Sequence, residues 1–341
     1  MKGPIIGWDV GGANIKAALV ERSERAGPVV EQPFALWRDP QRLPDVLIET
    51  ADRLGGAPTM AATMTAELAD CFATKREGVR FVLDALRHAF PAVDVRIYGL
   101  DGTFRSIEAA RERPLRVAAA NWMATATLAA RTFRDAMFID VGSTTTDIIP
   151  LVGGRVETRG RTDPARLRSG ELVYTGALRT PVCAVVRAVP LRGRRCRVAA
   201  EHFAVAADAH VWLGDLEERD YTCDTPDGRG RSRLETAARL ARMVCADLDV
   251  LTSNDITIIA AAVARAQVQQ IAAAIRQLQR RLGGRSPRDA IVVGRGAFLA
   301  RRAAAAAGLA VREVVNGDGE GPAYATPASA VACLLLEREA T

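Results

Sequence analysis

Ile5-Ile6-Gly7-Trp8-Asp9-Val10-Gly11-Gly12-Ala13-Asn14-Ile15-Lys16 is answered about 130 residues later by Phe138-Ile139-Asp140-Val141-Gly142-Ser143-Thr144-Thr145-Thr146-Asp147-Ile148. Each stretch runs from an apolar strand to an Asp, a Gly turn, short amide or hydroxyl side chains, and a second apolar run. One copy is what any β-hairpin with a capping Asp offers. Two copies predict two related lobes closing on one phosphorylated ligand. Glycine lets backbone N–H groups approach an anion closely, and Ser143, Thr144, Thr145 and Thr146 add hydroxyl donors. Asp9 and Asp140, at strand ends, would repel a bare phosphate. A divalent cation removes that objection, because Mg²⁺ takes a few carboxylates together with water and phosphate oxygens.

A third turn lies near the C-terminus. Ile291-Val292-Val293-Gly294-Arg295-Gly296-Ala297-Phe298-Leu299 reads as strand, Gly-x-Gly turn and helix, a geometry that can cradle a phosphate or let a ring lie on the backbone.

The 341 residues are enough for two domains with full cores. Hydrophobic content of 49% and charged content of 25% are ordinary for a globular chain. No uninterrupted apolar run reaches the length of about 20 residues that spans a bilayer. Met1-Lys2-Gly3-Pro4 leads straight into a strand without a signal-peptide pattern, so the expected location is the cytoplasm, with no membrane partner. Six scattered cysteines (71, 183, 196, 223, 245 and 333) show no Cys-x-x-Cys spacing, which argues against a disulfide framework or zinc ribbon. Cys183, Cys196, His202, His210 and Cys223 match no familiar ligand spacing and are expected to include buried thiols.

Of 46 basic residues only Lys2, Lys16 and Lys75 are lysine. Where Arg replaces Lys almost everywhere, a retained Lys suggests a compact ammonium is needed. Lys16 sits in the first turn motif. Lys75 follows the distinctive segment Met64-Thr65-Ala66-Glu67-Leu68-Ala69-Asp70-Cys71-Phe72. The clusters Arg192-Gly193-Arg194-Arg195 and Arg229-Gly230-Arg231-Ser232-Arg233 carry no interleaved aromatic residues, so no stacking platform for nucleic acid is expected.

Strands are expected at 5–10, 15–20, 29–36, 58–63, 94–98, 137–141, 147–152, 155–158, 290–294 and 310–315. Helices are expected at 41–54, 77–89, 118–133, 200–213, 233–248, 254–282, 297–307 and 326–338, with loop over 160–199. The fold class is α/β, with lobes at 1–134 and 135–341 and a helical insertion at about 165–285.

In this order, the three Gly turns resemble the phosphate and adenosine motifs of the actin-like ATPase superfamily over essentially the whole chain. Asp-Val-Gly-Gly-Ala-Asn-Ile-Lys (9–16), Met-Thr-Ala-Glu-Leu-Ala-Asp-Cys-Phe (64–72) and Asp-Val-Gly-Ser-Thr-Thr-Thr-Asp-Ile-Ile-Pro (140–150) resemble more narrowly its hydantoinase/oxoprolinase-like branch linked to tetrahydromethanopterin one-carbon metabolism. The superfamily resemblance implies two ribonuclease-H-like lobes with a phosphate-binding cleft between them, and helices 118–133 and 326–338 as connectors. The branch resemblance implies a methanofuran-type transferase. Such an enzyme joins the phenol oxygen of a glutamyl-tyramine to an aminomethyl-furan-methanol diphosphate and expels pyrophosphate.

On that reading, Gly11, Gly12, Asn14, Lys16, Gly142, Ser143, Thr144, Thr145, Gly294 and Gly296 bind the diphosphate. Mg²⁺ is held by Asp9 and Asp140, with Asp147 through water. Lys75 lowers the phenol's pKa, and Glu67 or Asp70 takes its proton; a capped helix start, with Thr65 as the cap, is the structural alternative for that segment. Asp224, Asp227 and Arg229 belong either to an acceptor loop or to a plain Asp-Gly turn. Arg295 departs from the small residue that an adenine would favour there. An ATP-dependent kinase or hydrolase and a non-catalytic nucleotide sensor are the other readings. A homo-oligomer is compatible with all three.

Overall fold

The computed structural model describes residues 3–21, 27–312 and 323–340. Two compact units partition the chain: one gathers residues of 1–134, 153–156 and 314–341, the other those of 135–152 and 157–313.

In the first unit the strands are β1 (Ile5–Val10), β2 (Asn14–Val20), β3 (Val29–Pro33), β4 (Thr59–Met64), β5 (Asp94–Tyr98) and β6 (Phe104–Arg105), with the short β9 (Arg155–Val156). Its helices are α1 (Leu43–Asp52), α2 (Lys75–Ala89), α3 (Ile107–Glu112), α4 (Asn121–Thr132) and α11 (Pro327–Ala340). The second unit holds β7 (Ala136–Val141), β8 (Thr146–Val152), β10 (Leu172–Val173), β11 (Ala188–Leu191), β12 (Arg194–Arg197), β13 (Asp289–Val293) and β14 (Ala310–Arg312). Its helices are α5 (Asp163–Ser169), α6 (Val182–Val185), α7 (Ala206–Leu213), α8 (Arg233–Arg242), α9 (Ser253–Leu282) and α10 (Ala297–Ala306).

The first sheet runs β3-β2-β1-β4-β5-β6, the second β10-β8-β7-β13-β14. Relabelled within each sheet by sequence, both contain the order 3-2-1-4-5. In both, the first strand pairs antiparallel with the second and parallel with the fourth. That is the ribonuclease-H-like order, present twice. The central strands β1 and β7 are buried on both faces except at Asp9 and Asp140, which is why they read as almost continuous apolar runs.

One face of the first sheet lays Ile6, Trp8 and Val10 against Leu47, Val79, Val82, Leu83 and Leu86. The last four recur along α2 at helical spacing. The other face carries Gly7, where a Cβ would lie 1.9 Å from the Ala328 carbonyl oxygen. Only glycine lets α11 approach so closely, so the C-terminal helix groups with the first unit instead of with residues 135–341. Helix α2 begins at Lys75, two residues before the expected start, because Thr74 caps it by accepting from the Glu77 N–H at 3.2 Å. Thr65 makes no such cap.

In the second unit, the stretch expected as loop over 160–199 contains α5, α6 and the β11–β12 hairpin. Arg192 and Gly193 both adopt left-handed backbone (φ +49° and +74°), the conformation a two-residue hairpin turn requires. The first Arg cluster is therefore a turn and a strand. In the second, Ser232 and Glu235 form a capping box that opens α8. Between β10 and β13 the chain holds α6, α7, α8 and α9 and the β11–β12 hairpin. Helix α9 is apolar and long enough to cross a membrane, yet Ile256, Ile259, Val263, Ile271, Ile275 and Leu278 on it are buried in this unit's cores. Cys333 is buried, but Cys183, Cys196 and Cys223 are only partly so, and Cys71 and Cys245 are exposed; Cys183 and Cys223 pack against apolar clusters of the second unit. No group of three or more metal-ligating side chains gathers among the described residues. The last residues of the expected 310–315 strand, 313–315, lie outside the described residues.

Candidate active site

The two hairpins that the sequence singles out match residue for residue. In the first, the Gly11 N–H donates to the Asn14 carbonyl at 3.1 Å; in the second, the Gly142 N–H donates to the Thr145 carbonyl at 2.9 Å. Asp9 pairs across the ladder with Lys16, and Asp140 with Asp147. Local sequence suffices for this: a Gly turn between two apolar strands fixes the register.

Tertiary packing then orients the turns. The Gly12 and Ala13 carbonyls accept from the Leu36 and Phe34 N–H groups at 2.9 and 3.0 Å. The Gly142 carbonyl accepts from Ala177, and that of Ser143 from Leu178 and Arg179, at 2.9 to 3.0 Å. The N–H groups of Gly12, Ala13, Ser143 and Thr144 donate to no protein atom among the described residues. Nor do the hydroxyls of Ser143, Thr144 and Thr145 bond to the protein there. Each turn thus has its acceptors occupied and its donors available, the polarity an anion requires.

Asp9 is partly buried as a residue, but its Oδ1 is fully buried and has no hydrogen-bond partner among the described residues. Burial pushes this carboxyl up from 3.8 to about 6; Lys16 opposes the rise and Glu31 adds to it. Lys16 lies 3.9 Å from Glu31 and next to Asp9 in the sheet. On the other side of Asp9, in register on β4, stands Thr63. Its hydroxyl oxygen is also buried and unpartnered. Two orphaned hard oxygens in one row are costly unless something binds them, and their chemistry suits Mg²⁺. No local pattern marks Thr63, because only the β1–β4 pairing brings it beside Asp9.

Asp140 sits against the third turn. Gly294 (φ +86°) follows β13, and a Cβ there would lie 2.3 Å from Asp140 Oδ1. The Gly296 N–H donates to the Val141 carbonyl at 2.8 Å. Arg295, at the position expected to meet an adenine, points a guanidinium N–H at the Asp220 carbonyl, 3.4 Å away. Asp147 is held by the buried Arg166 at 2.8 Å, and Arg166 also donates to the Glu171 carbonyl. Burial holds the Asp147 carboxyl above its ordinary value, and the Arg166 charge and hydrogen bond offset this only in part. Asp147 therefore has a protein cation as partner.

Glu67, Asp70 and Lys75 fall together in the first unit, just after β4. Glu67 is buried in a 3₁₀ turn over Ala66–Leu68. Lys75, the first residue of α2, brings its Nζ to 3.9 Å from Glu67 Oε1. Asp70 is exposed. Gly78 makes room for this turn, since a Cβ there would lie 2.6 Å from the Glu67 carbonyl oxygen. In the second unit Asp227 accepts from Arg239, Arg242 and the Arg229 N–H at 3.0 to 3.2 Å, a partly buried brace in which it shares the buried Arg239 with Asp208. Asp227 and Arg229 thus belong to a turn wired into α8, and Asp224 is exposed beside it.

A family model described as hydantoinase/oxoprolinase matches residues 58–338. A protein of Methanocaldococcus jannaschii named (4-{4-[2-(gamma-L-glutamylamino)ethyl]phenoxymethyl}furan-2-yl)methanamine synthase is 38% identical over 257 residues, covering 75% of this chain and 76% of that protein. One of the same name from Methanococcus vannielii is 35% identical over 122 residues, covering 36% and 54%. Among solved structures, the ROK hexokinase of Thermus thermophilus aligns over 99% of this chain and 100% of its own, at 14% identity and a TM-score of 0.45.

Proposed function

The chain belongs to the hydantoinase/oxoprolinase family, and from that premise we propose that it is a transferase joining the phenol oxygen of a (glutamyl-)tyramine to an aminomethyl-furan-methanol diphosphate, with release of pyrophosphate, in methanofuran-type cofactor biosynthesis. The observation that carries this reading is the 38% identity over three-quarters of the chain to a synthase whose printed product contains a phenoxymethyl-furan ether. The duplicated donor-rich turns support the diphosphate as leaving group.

In the reaction a bond forms between the phenol oxygen and the furan methylene carbon. The carbon–oxygen bond to the diphosphate breaks, and its electron pair leaves with pyrophosphate. The phenol proton passes to a carboxylate. Resonance in the furan spreads positive charge from the methylene, so departure can run ahead of attack. Each unit by itself offers donors to diphosphate oxygens: the N–H groups at Gly12 and Ala13 in the first, and those at Ser143 and Thr144 with the Ser143, Thr144 and Thr145 hydroxyls in the second. Charge accumulates on those oxygens as the bond breaks, and preorganised donors stabilise it. Gly294 and Gly296 shape the backbone around Asp140, and Lys16 and Asn14 border the first turn. Asp9 in the first unit, and the corresponding Asp140 in the second, are the candidate Mg²⁺ ligands; the cation would supply charge neutralisation on the leaving group. The unpartnered oxygens of Asp9 and Thr63 support that assignment. The candidate bases are Glu67, which is buried and 3.9 Å from the Lys75 ammonium, and Asp70, which faces water. Lys75 favours the phenolate by its charge.

Phosphorus NMR tests the proposal. Purified protein with Mg²⁺ is offered the furan diphosphate with tyramine or glutamyl-tyramine, and ATP in a parallel tube. Pyrophosphate should appear only when both furan diphosphate and phenol are present. Orthophosphate or ADP from ATP, with the furan diphosphate untouched, would return the protein to the kinase or hydrolase class.

A further inference from the structure

Behind the Ser143–Thr144 turn lies a buried polar chain that the proposed chemistry does not use. Residues Thr175 to Arg179 clamp the turn. Thr146 Oγ1 donates to the Thr175 carbonyl at 2.7 Å, and the N–H groups of Ala177, Leu178 and Arg179 hold the turn carbonyls. Gly176 is pressed so close that a Cβ would lie 2.5 Å from the Thr144 nitrogen. Any displacement of this clamp moves the turn.

The clamp is fixed from beneath by Gln267, which is fully buried on α9. Its amide nitrogen donates to Thr175 Oγ1 at 2.8 Å and to the Gly176 carbonyl at 2.9 Å. A carbonyl can only accept, so the amide cannot be turned round. Its oxygen must face His210 Nε2, 2.8 Å away, and Nε2 must donate. His210 is fully buried on α7. Its Nδ1 faces Asp215 Oδ2 at 3.2 Å, so the second ring nitrogen also meets an acceptor. Arg302 on α10 closes the chain with two hydrogen bonds to Asp215, at 2.6 and 2.8 Å. The Asp215 carboxyl is held below its ordinary value: burial opposes this, but the bonds and charges of His210 and Arg302 prevail. Phe298, also on α10, meets the His210 ring edge-on at 4.8 Å. Helix α10 begins immediately after Gly296, so the chain ties the second Gly turn to the element that follows the third.

We infer that His210 and Gln267 are positioning residues for the anion-binding turn: the chain Arg302–Asp215–His210–Gln267 locks the 175–179 clamp, and the clamp presents the Ser143 and Thr144 donors. Neither residue touches substrate. The oligopolar chain exists only as a unit, because each member fixes the donor or acceptor sense of the next. The kinetic arm of the test below rests on the proposed diphosphate chemistry; the exchange arm does not.

The test uses the full chain with Gln267→Glu, which keeps size but sets a carboxylate against the Gly176 carbonyl, and His210→Phe as an independent second variant. Amide hydrogen exchange is followed at Ala177, Leu178 and Arg179, whose N–H groups hold the turn carbonyls, and, as an internal control, at Phe34 and Leu36, which hold the turn of the other unit. Losing one buried hydrogen bond should speed exchange at 177–179 about tenfold and leave Phe34 and Leu36 as in the wild type. In steady-state assays the KM for the furan diphosphate should rise about tenfold while the KM for the phenol stays unchanged, a split that general loss of stability does not produce. Wild-type exchange at 177–179 in folded Gln267→Glu protein would overturn the inference, as would acceleration spread equally over both sets of amides. Accelerated exchange confined to 177–179, in a protein whose wild type never releases pyrophosphate, would uphold the brace and remove the transferase reading.

Discussion

Replacing Asp9 by Asn should make the protein more stable while ending its activity. The β1 carboxyl is raised from 3.8 to about 6, chiefly by burial, so the folded state holds its ionised form less favourably than the unfolded chain does. That difference corresponds to about 3 kcal/mol at most. The sign follows from proton binding. Between 3.8 and about 6 the folded protein binds more protons at this site than the unfolded chain, so stability falls as pH rises through this window and is then level. An Asn carries no charge to desolvate, and its amide can donate to the orphaned Thr63 hydroxyl beside it. At pH 8 the variant should therefore gain about 1–3 kcal/mol over the wild type; below pH 4 the gain should vanish. Urea unfolding followed by tryptophan fluorescence reads this, since Trp8 is fully buried in the first unit's core. In the same titration, Mg²⁺ should raise the unfolding midpoint of the wild type and leave the variant unmoved. Equal stability at pH 8, or a gain that persists unchanged at pH 4, would refute the argument that a desolvated carboxylate sits at this position.

Two further outcomes follow from the second unit. Gly294→Ala places a Cβ on Asp140 Oδ1 at a left-handed backbone position; turnover should fall by about 100-fold and stability by about 1–3 kcal/mol, and near-wild-type turnover in the folded variant would show that Asp140 need not stay where it is. Arg166→Met leaves the partly buried Asp147 carboxylate without its buried cation and should cost about 3 kcal/mol in urea unfolding. Adding Asp147→Asn to that variant should recover part of the loss, and a purely additive double variant would contradict the pairing.

Much of the site was legible in the sequence because its parts are local. Asp9 with Gly11 to Asn14, and Asp140 with Gly142 to Thr145, each lie within six residues, and a hairpin of that length fixes its own register. Glu67 and Lys75 were legible for a related reason: a short turn links β4 to α2, so eight residues of separation end as a contact. Helix α2 starts two residues ahead of the expected Glu77 because its cap is Thr74. The β11–β12 hairpin is hidden in the sequence because its turn uses Arg192 in a left-handed conformation that non-glycine side chains rarely take. The partner of Asp147, which was expected to reach Mg²⁺ through water, is Arg166, 19 residues on, whose burial depends on how α5 packs.

By itself the sequence determined the α/β class, the duplicated Asp-Gly hairpins and the segments that border them, since strand alternation, helical spacing and Gly turns are written in neighbouring residues. Only the tertiary structure decided which distant residues stand behind them. Strand order put Thr63 beside Asp9. The close approach allowed by Gly7 drew α11 into the first unit. Helix packing set Gln267 and His210 beneath the Ser143–Thr144 turn. These contacts join residues 50 to more than 300 positions apart. No local period encodes them, because they arise only when separate apolar faces are buried against one another.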